Sequence, residues 1–332
     1  TQLQWSSAIG TITMRTKKEA FLADATTVAG GNGFGYTPDK FNMPKSICVD
    51  EQGNIYVSDY NNHFVTRWAP GAATGVIVAG GNGGGSNTNQ LFYPRGIVLD
   101  DKGSLYIADA GNGRIVKWKP GAQAGIVLAE NITYLKDIYV DTRGNIYALH
   151  DETVERWDAE THTLTIVAGG NGSGSNLNQF FNANAVCADK EGNVYVADLY
   201  NSRIMKWAPG ATSGTVANGI GGAGNYADKL LSPYDVDIDN RGNLYVADLG
   251  NNRVQLLKPG EQYGITLAGG YGRGALARQL YYAQSICRDK EGNIYVLDSY
   301  LLHVQKFETS DTINTEYLPE EAIYHKVTAT FE

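Results

Sequence analysis

Three aspartates alternate in the stretch YDVDIDN, at Asp235, Asp237 and Asp239. On an extended strand alternate side chains share one face, so the three would offer a row of carboxylate oxygens, the donors that Ca²⁺ takes. Asp235 and Asp237 are therefore candidate metal ligands, and Ca²⁺ is the one cofactor for which the chain writes a candidate site. Asp237 has a second reading: Arg288 interrupts an apolar run in the same way further along the chain, and the two would form an ion pair. A different chemistry stands at the starts of six short apolar runs, which open with Lys45, Arg95, Lys136, Asn184, Tyr234 and Gln284 in turn. The first three are cations and the last three are neutral polar groups. A surface that gathers them would carry a basic crescent able to focus an anion, although the same residues also suit a plain solvated rim. Tyr60, Tyr200 and Tyr300 recur in turns predicted on the same face, where flat rings could stack on a sugar. Together with Tyr234 they complete the candidate ligand-binding set.

The usual catalytic constellations are missing. The five histidines, His63, His150, His162, His303 and His325, show no metal-ligand spacing. There is no Gly-x-Ser-x-Gly elbow. The loops of the type AGGNGGGSN lack the Lys-Ser/Thr of a phosphate loop, and although they resemble calcium-binding glycine repeats they lack the ligating Asp. A non-catalytic chain is the expectation. Its net charge of −8, with only 19% charged residues, gives no general attraction for nucleic acid or an anionic membrane. No apolar run is long enough to span a bilayer. With no initiator Met and no leader, the 332 residues read as a mature or trimmed product. The three cysteines, Cys48, Cys187 and Cys287, occupy one repeat position and read as buried free thiols rather than a disulfide framework.

What must position these residues is a repeat. An Asp followed three residues later by Gly recurs at Asp50, Asp100, Asp141, Asp189, Asp239 and Asp289, at intervals of 50, 41, 48, 50 and 50. Each copy has an apolar run ending at the Asp, then a turn in which Asp bonds the backbone and Gly supplies positive φ. An alternating run such as NIYVSD follows, then VTRW or IVKW, then PGAATG and VIVAGG. Four short antiparallel strands per period predict propeller blades. The fold class is therefore all-β, a six-bladed β-propeller. The last copy reaches VQKF and lacks its VIVAGG, while TTVAGG stands near the start of the chain at 26–31. An N-terminal strand is thus predicted to complete blade 6 and leave no open edge.

The phrase GNLYVADLGNNRV, with its Asp and Asn-x-Arg, resembles the NHL-repeat family of six-bladed propellers, over residues 26 to about 307. The fuller phrase, W-x-PGA followed by VAGGNGxG, is similar to NHL arrays of secreted multi-domain bacterial proteins. The resemblance implies a binding platform. Relatives include RNA binders, kinase sensors and a few lyases. The lyases ligate metal through channel histidines, and the innermost runs here contain none. The carboxylates Asp59, Asp109, Asp198, Asp248 and Asp298 recur, with Asn62, Asn112, Asn201 and Asn251 three residues later and Arg114, Arg203 and Arg253 five later, a set expected to satisfy buried backbone groups within each blade rather than to bind metal.

Blade 3 breaks the pattern: His150 replaces the recurring Asp, and LAENITYLKD lacks the long glycine loop, which predicts a notch between blades 2 and 3. Outside the ring, residues 1–23 form an N-terminal extension with a strand, 24–307 the propeller, and 308–332 a C-terminal β extension in which Val327, Ala329 and Phe331 share a face. The function expected is that of a secreted or cell-surface binding or scaffold module, adhesin-like, for an anionic or glycan ligand or a protein partner. Two alternatives follow from the same features. One is a subunit of an extracellular assembly that self-associates through its terminal strands. The other is a Ca²⁺-dependent lyase or lactonase.

Overall fold

A computed structural model describes residues 4–7, 10–13, 25–276 and 278–308. Strands β1 (Gln4–Ser7) and β2 (Gly10–Thr13) pair as an antiparallel hairpin, Trp5 opposite Ile12. The predicted C-terminal β extension lies outside the described residues. Strand β3 is Thr26–Gly30. Blade 1 is then β4 (Pro44–Val49), β5 (Ile55–Asp59), β6 (Phe64–Trp68) and β7 (Val76–Gly80), and blade 2 is β8 (Pro94–Leu99), β9 (Leu105–Asp109), β10 (Arg114–Trp118) and β11 (Ile126–Ala129). Blade 3 comprises β12 (Leu135–Val140), β13 (Ile146–His150), β14 (Thr153–Trp157) and β15 (Leu164–Gly169). Blade 4 comprises β16 (Ala183–Ala188), β17 (Val194–Asp198), β18 (Arg203–Trp207) and β19 (Thr215–Asn218). Blade 5 holds β20 (Pro233–Ile238), β21 (Leu244–Asp248), β22 (Arg253–Leu257) and β23 (Ile265–Gly269), and blade 6 holds β24 (Ala283–Arg288), β25 (Ile294–Asp298) and β26 (His303–Phe307). Its fourth strand is β3, antiparallel to β26 with Val304 opposite Ala29. The ring closes as the sequence predicts.

Each blade is a twisted antiparallel sheet that cannot bury both faces alone. The buried side chains accordingly form clusters that bridge neighbours: Val65 and Ala79 of blade 1 with Ile97, Ile107 and Trp118 of blade 2, and across the seam Leu297 and Val304 with Ile47, Val57 and Trp68. Phe41, Leu91, Phe180, Leu230 and Leu280, each at 0% exposure, end the loops that lead into blades 1, 2, 4, 5 and 6. Burying each stabilises the ring by roughly 1.5–3 kcal/mol. Gly30 shows why glycine stands at the strand end. Its φ is +70°, and a Cβ there would meet the Phe41 ring and the Leu302 carbonyl.

The repeated Asp turn is also accounted for. Asp50 Oδ1 accepts the amides of Gln52 and Asn54, and Oδ2 accepts Asn54 Nδ2 at 2.8 Å. This fixes the exit from every innermost strand, so that the residues opening those strands meet at the other end of the channel.

Candidate functional site

The recurring Asp-Asn-Arg set grips the long connections between blades. In blade 2, Asp109 Oδ1 accepts Phe92 N, and Oδ2 accepts Asn112 Nδ2 and Arg114 Nε, the latter at 2.7 Å. Arg114 then donates to the carbonyls of Ser86, Asn87 and Gln90. Arg203 and Arg253 repeat this in blades 4 and 5. The set is thus a loop clamp, as expected.

At the end of the channel that this positioning creates, Lys45, Arg95, Lys136, Asn184, Tyr234 and Gln284 converge on one narrow mouth with about 20 Å³ of free space, room for about one water. Arg95 donates to Asn184 Oδ1 at 3.1 Å, and Asn184 Nδ2 donates to the Tyr234 carbonyl. Gln284 Nε2 reaches the Tyr234 hydroxyl at 3.5 Å, and burial raises that phenol's pKa. Lys136 is the satisfied cation. It donates to Asn182 Oδ1 and the Ala183 carbonyl and lies 3.6 Å from Glu152. Lys45 has no such partner. Burial, and then the charge of Arg95, push its ammonium down to about 8. Neither Lys45 nor Arg95 forms an ion pair with a carboxylate among the described residues.

The tyrosines are divided. Tyr60 borders the mouth, with Lys45 Nζ 5.6 Å from its ring centre, and stacks on Tyr93 at 4.6 Å. Tyr300 stacks on Tyr281 at 4.0 Å, and Tyr200 meets Phe181 edge-on at 5.1 Å, each within its own blade. Both remain about 60% exposed, Tyr200 at 60% and Tyr300 at 63%. In place of a long loop, the connection into blade 3 crosses directly, with Ile132 N donating to the Gly113 carbonyl at 2.8 Å and Tyr134 left 76% exposed. His150, at the position of the missing Asp, has Nε2 3.0 Å from the Glu155 carboxylate without hydrogen-bond alignment.

Just inside the mouth the channel wall carries Ser46, Gly96, Asp137, Ala185, Asp235 and Ser285, one per blade. Here the sequence reading missed the operative logic. A shift of register near the start of each innermost strand leaves an amide to be satisfied. Ser46 accepts Ile97 N, and Ser285 accepts Ile47 N. Blades 2 and 4 have no side-chain acceptor at this level, and Asp137 and Asp235 do double duty: Asp137 takes Val186 N and its neighbour Ile138 N, and Asp235 takes Ile286 N and Val236 N. Asp137 was not singled out from the sequence. Its only signal is the column Ser, Gly, Asp, Ala, Asp, Ser, in which an acidic residue follows each blade that lacks an acceptor. Burial, together with mutual repulsion for Asp137, raises both carboxyls well above the ordinary range.

The row at 235, 237 and 239 is therefore distributed over three tasks. Asp237 Oδ2 accepts Arg288 Nε at 2.8 Å, the ion pair expected, and Oδ1 accepts Ile238 N. Asp239 caps its turn through Asn243. Among the described residues no group of three or more His, Cys, Asp or Glu is arranged to hold a metal. The three cysteines are free; Cys187 is buried and the others half-buried, and burial raises all three thiols. No helix among the described residues is long and apolar enough to cross a membrane.

The NHL repeat is matched at residues 41–68 and 93–118, the cores of blades 1 and 2, within six four-stranded blades that repeat the same hydrogen bonds. The chain is an NHL-repeat propeller. No curated protein matches this NHL-repeat chain. Among solved structures, it is similar to a protein of unknown function from Bacteroides thetaiotaomicron, with TM-score 0.67, 14% identity, and coverage of 85% of this chain and 74% of that one. It is similar to an auxiliary nutrient binding protein from Bacteroides ovatus, with TM-score 0.65, 16% identity, and coverage of 86% and 76%. A gluconolactonase from Xanthomonas campestris aligns with TM-score 0.59, 13% identity, and coverage of 86% and 90%. At these identities the likeness establishes the propeller alone.

Proposed function

We propose that this NHL propeller is a non-catalytic binding module acting at the cell exterior, and that the channel mouth receives an anionic group of its ligand. The observation that carries this is the pair Lys45 and Arg95 at the mouth, neither with a carboxylate partner among the described residues, and Lys45 largely shielded from water. Charges so placed are unfavourable unless paired, and an incoming anion would supply the missing partner. Tyr60, Tyr200 and Tyr300 add exposed or half-exposed rings on the surrounding face, suited to a glycan. The name of the Bacteroides ovatus structure, an auxiliary nutrient binding protein, accords with an extracellular binding role.

A lactonase is the second reading, favoured by fold likeness to gluconolactonases. It would rest on channel carboxylates, and those of Asp137, Asp235 and Asp237 already accept backbone amides or the Arg288 guanidinium. The test is a thermal-shift screen of small anions and neutral sugars against the wild-type chain and Lys45→Met, beside a gluconolactone hydrolysis assay with added Ca²⁺. The proposal expects stabilisation by anions in the wild type alone. Hydrolysis above the buffer rate, or anion stabilisation indifferent to Lys45→Met, would overturn it.

A further inference from the structure

We infer that the group taken into the mouth is a single carboxylate borne on a sugar ring, so that the ligand class is a hexuronic acid or a glycan ending in one. This rests on the reading of the mouth as an anion site. Four features of the site converge on it.

The first is charge. Lys136 is balanced by Glu152, and the positive charges left over belong to Lys45 and Arg95. Just below them the buried Asp137 and Asp235 supply a partial negative charge, since the pair resists full ionisation. The balance suits a monoanion and disfavours a phosphate dianion. The second is space. About 20 Å³ at the mouth, room for about one water, lets one oxygen of a planar carboxylate enter and keeps the sugar ring outside. The third is donor geometry. Arg95 uses Nη2 on Asn184 and keeps the rest of its planar fork, the shape that pairs two-pronged with carboxylate. The fourth is the neighbour. Lys45 Nζ lies over the Tyr60 ring, 5.6 Å from its centre, and Tyr93 stacks on Tyr60 at 4.6 Å, so a carboxylate on Lys45 brings its parent ring beside this aromatic pair. The neutral arc of Asn184, Tyr234 and Gln284 across the mouth offers hydroxyl partners.

The groups facing the bound carboxylate are Lys45, Arg95, Lys136 with Glu152, Asp137, Asp235 and Tyr234. Raising the pH discharges Lys45 and ionises the aspartate pair, so both changes weaken the site. The experiment is isothermal titration of the full chain with sodium D-glucuronate, sodium D-galacturonate, D-glucose, glucose 6-phosphate and glucose 6-sulfate at pH 6.5 and 9. At pH 6.5 a uronate should bind at least about tenfold tighter than the other three, and it should weaken at pH 9. Lys45→Met should abolish that preference, Lys45→Arg should retain most of it, and Tyr60→Ala should weaken uronate severalfold with an unchanged melting temperature. Equal or tighter binding of the phosphate or sulfate ester would overturn the carboxylate assignment while leaving the anion site standing. Equal binding of glucose would overturn the carboxylate as the recognised group. Binding of none of the anions would sink the anion site itself.

Discussion

Blades 2, 4 and 5 hold their entry loops with a buried guanidinium; blades 1 and 6, which meet at the seam of the ring, do not. In blade 4, Arg203 sits on Asp198 at 2.7 Å and reaches three loop carbonyls. In blade 1 the same position is Phe64. Asp59 accepts Asn42 N and Asn62 Nδ2, neutral amides replace the cation, and Oδ1 is buried without a partner. Burial accordingly pushes Asp59 up to about 7. In blade 6 the position is His303, whose Nε2 is also buried and unpartnered and whose pKa burial lowers. The difference teaches that the ion clamp serves the loop and is not what closes the ring. Closure belongs to β3 and to the apolar cluster around Phe41, Trp68 and Val304.

The largest effect should therefore come at the seam. Deleting residues 24–31 removes the fourth strand of blade 6 and exposes the β26 edge. It should abolish the monomeric two-state melt seen by circular dichroism and light scattering; an unchanged monomer would break the comparison. Next, Arg203→Met leaves Asp198 charged and buried and should destabilise by about 3–5 kcal/mol in urea unfolding. Adding Asp198→Asn should restore part of that loss, as the orphaned charge is removed. No recovery would mean that the clamp acts through the loop carbonyls alone.

A smaller effect distinguishes blade 1. An Asp whose folded pKa lies above its unfolded value binds its proton more tightly when folded. Its contribution is complete below about pH 4 and is lost as pH rises through about 7. Asp59→Asn should then flatten the fall in melting temperature between pH 5 and 8. The aspartate pair in the channel contributes a slope of the same sign, so the difference between variant and wild type is the quantity to read. Equal slopes would show that Asp59 ionises without penalty.

Much of this was written in the sequence because it repeats. Six copies of one phrase fix the blades, and the truncated sixth copy fixes the closure by Thr26–Gly30. The structural role of Asp-Asn-Arg followed from its recurrence in blades 2, 4 and 5, since a structural part repeats whereas a site need appear only once. The convergence of Lys45, Arg95 and Lys136 with Asn184, Tyr234 and Gln284 followed from their shared place in the period. The amide-accepting layer beneath them did not. Asp137 is intelligible only with Gly96 on one side, where a Cβ would run into its carboxylate, and Val186 on the other. Those are contacts between blades, and no period within a blade encodes them. For the same reason Asp235 looked like a metal ligand until its amide partners were visible. Glu152, which neutralises Lys136, was hidden because blade 3 departs from the repeat.

The most direct test of the central claim, an unpaired desolvated cation at the mouth, is the titration of Lys45 by NMR in lysine-labelled protein. The side-chain signal assigned by Lys45→Met should titrate near 8, well below the ordinary lysine value of 10.5, and its midpoint should rise when sodium acetate or glucuronate is added. A signal that titrates at the ordinary lysine value of 10.5, and that ignores both anions, would contradict the account.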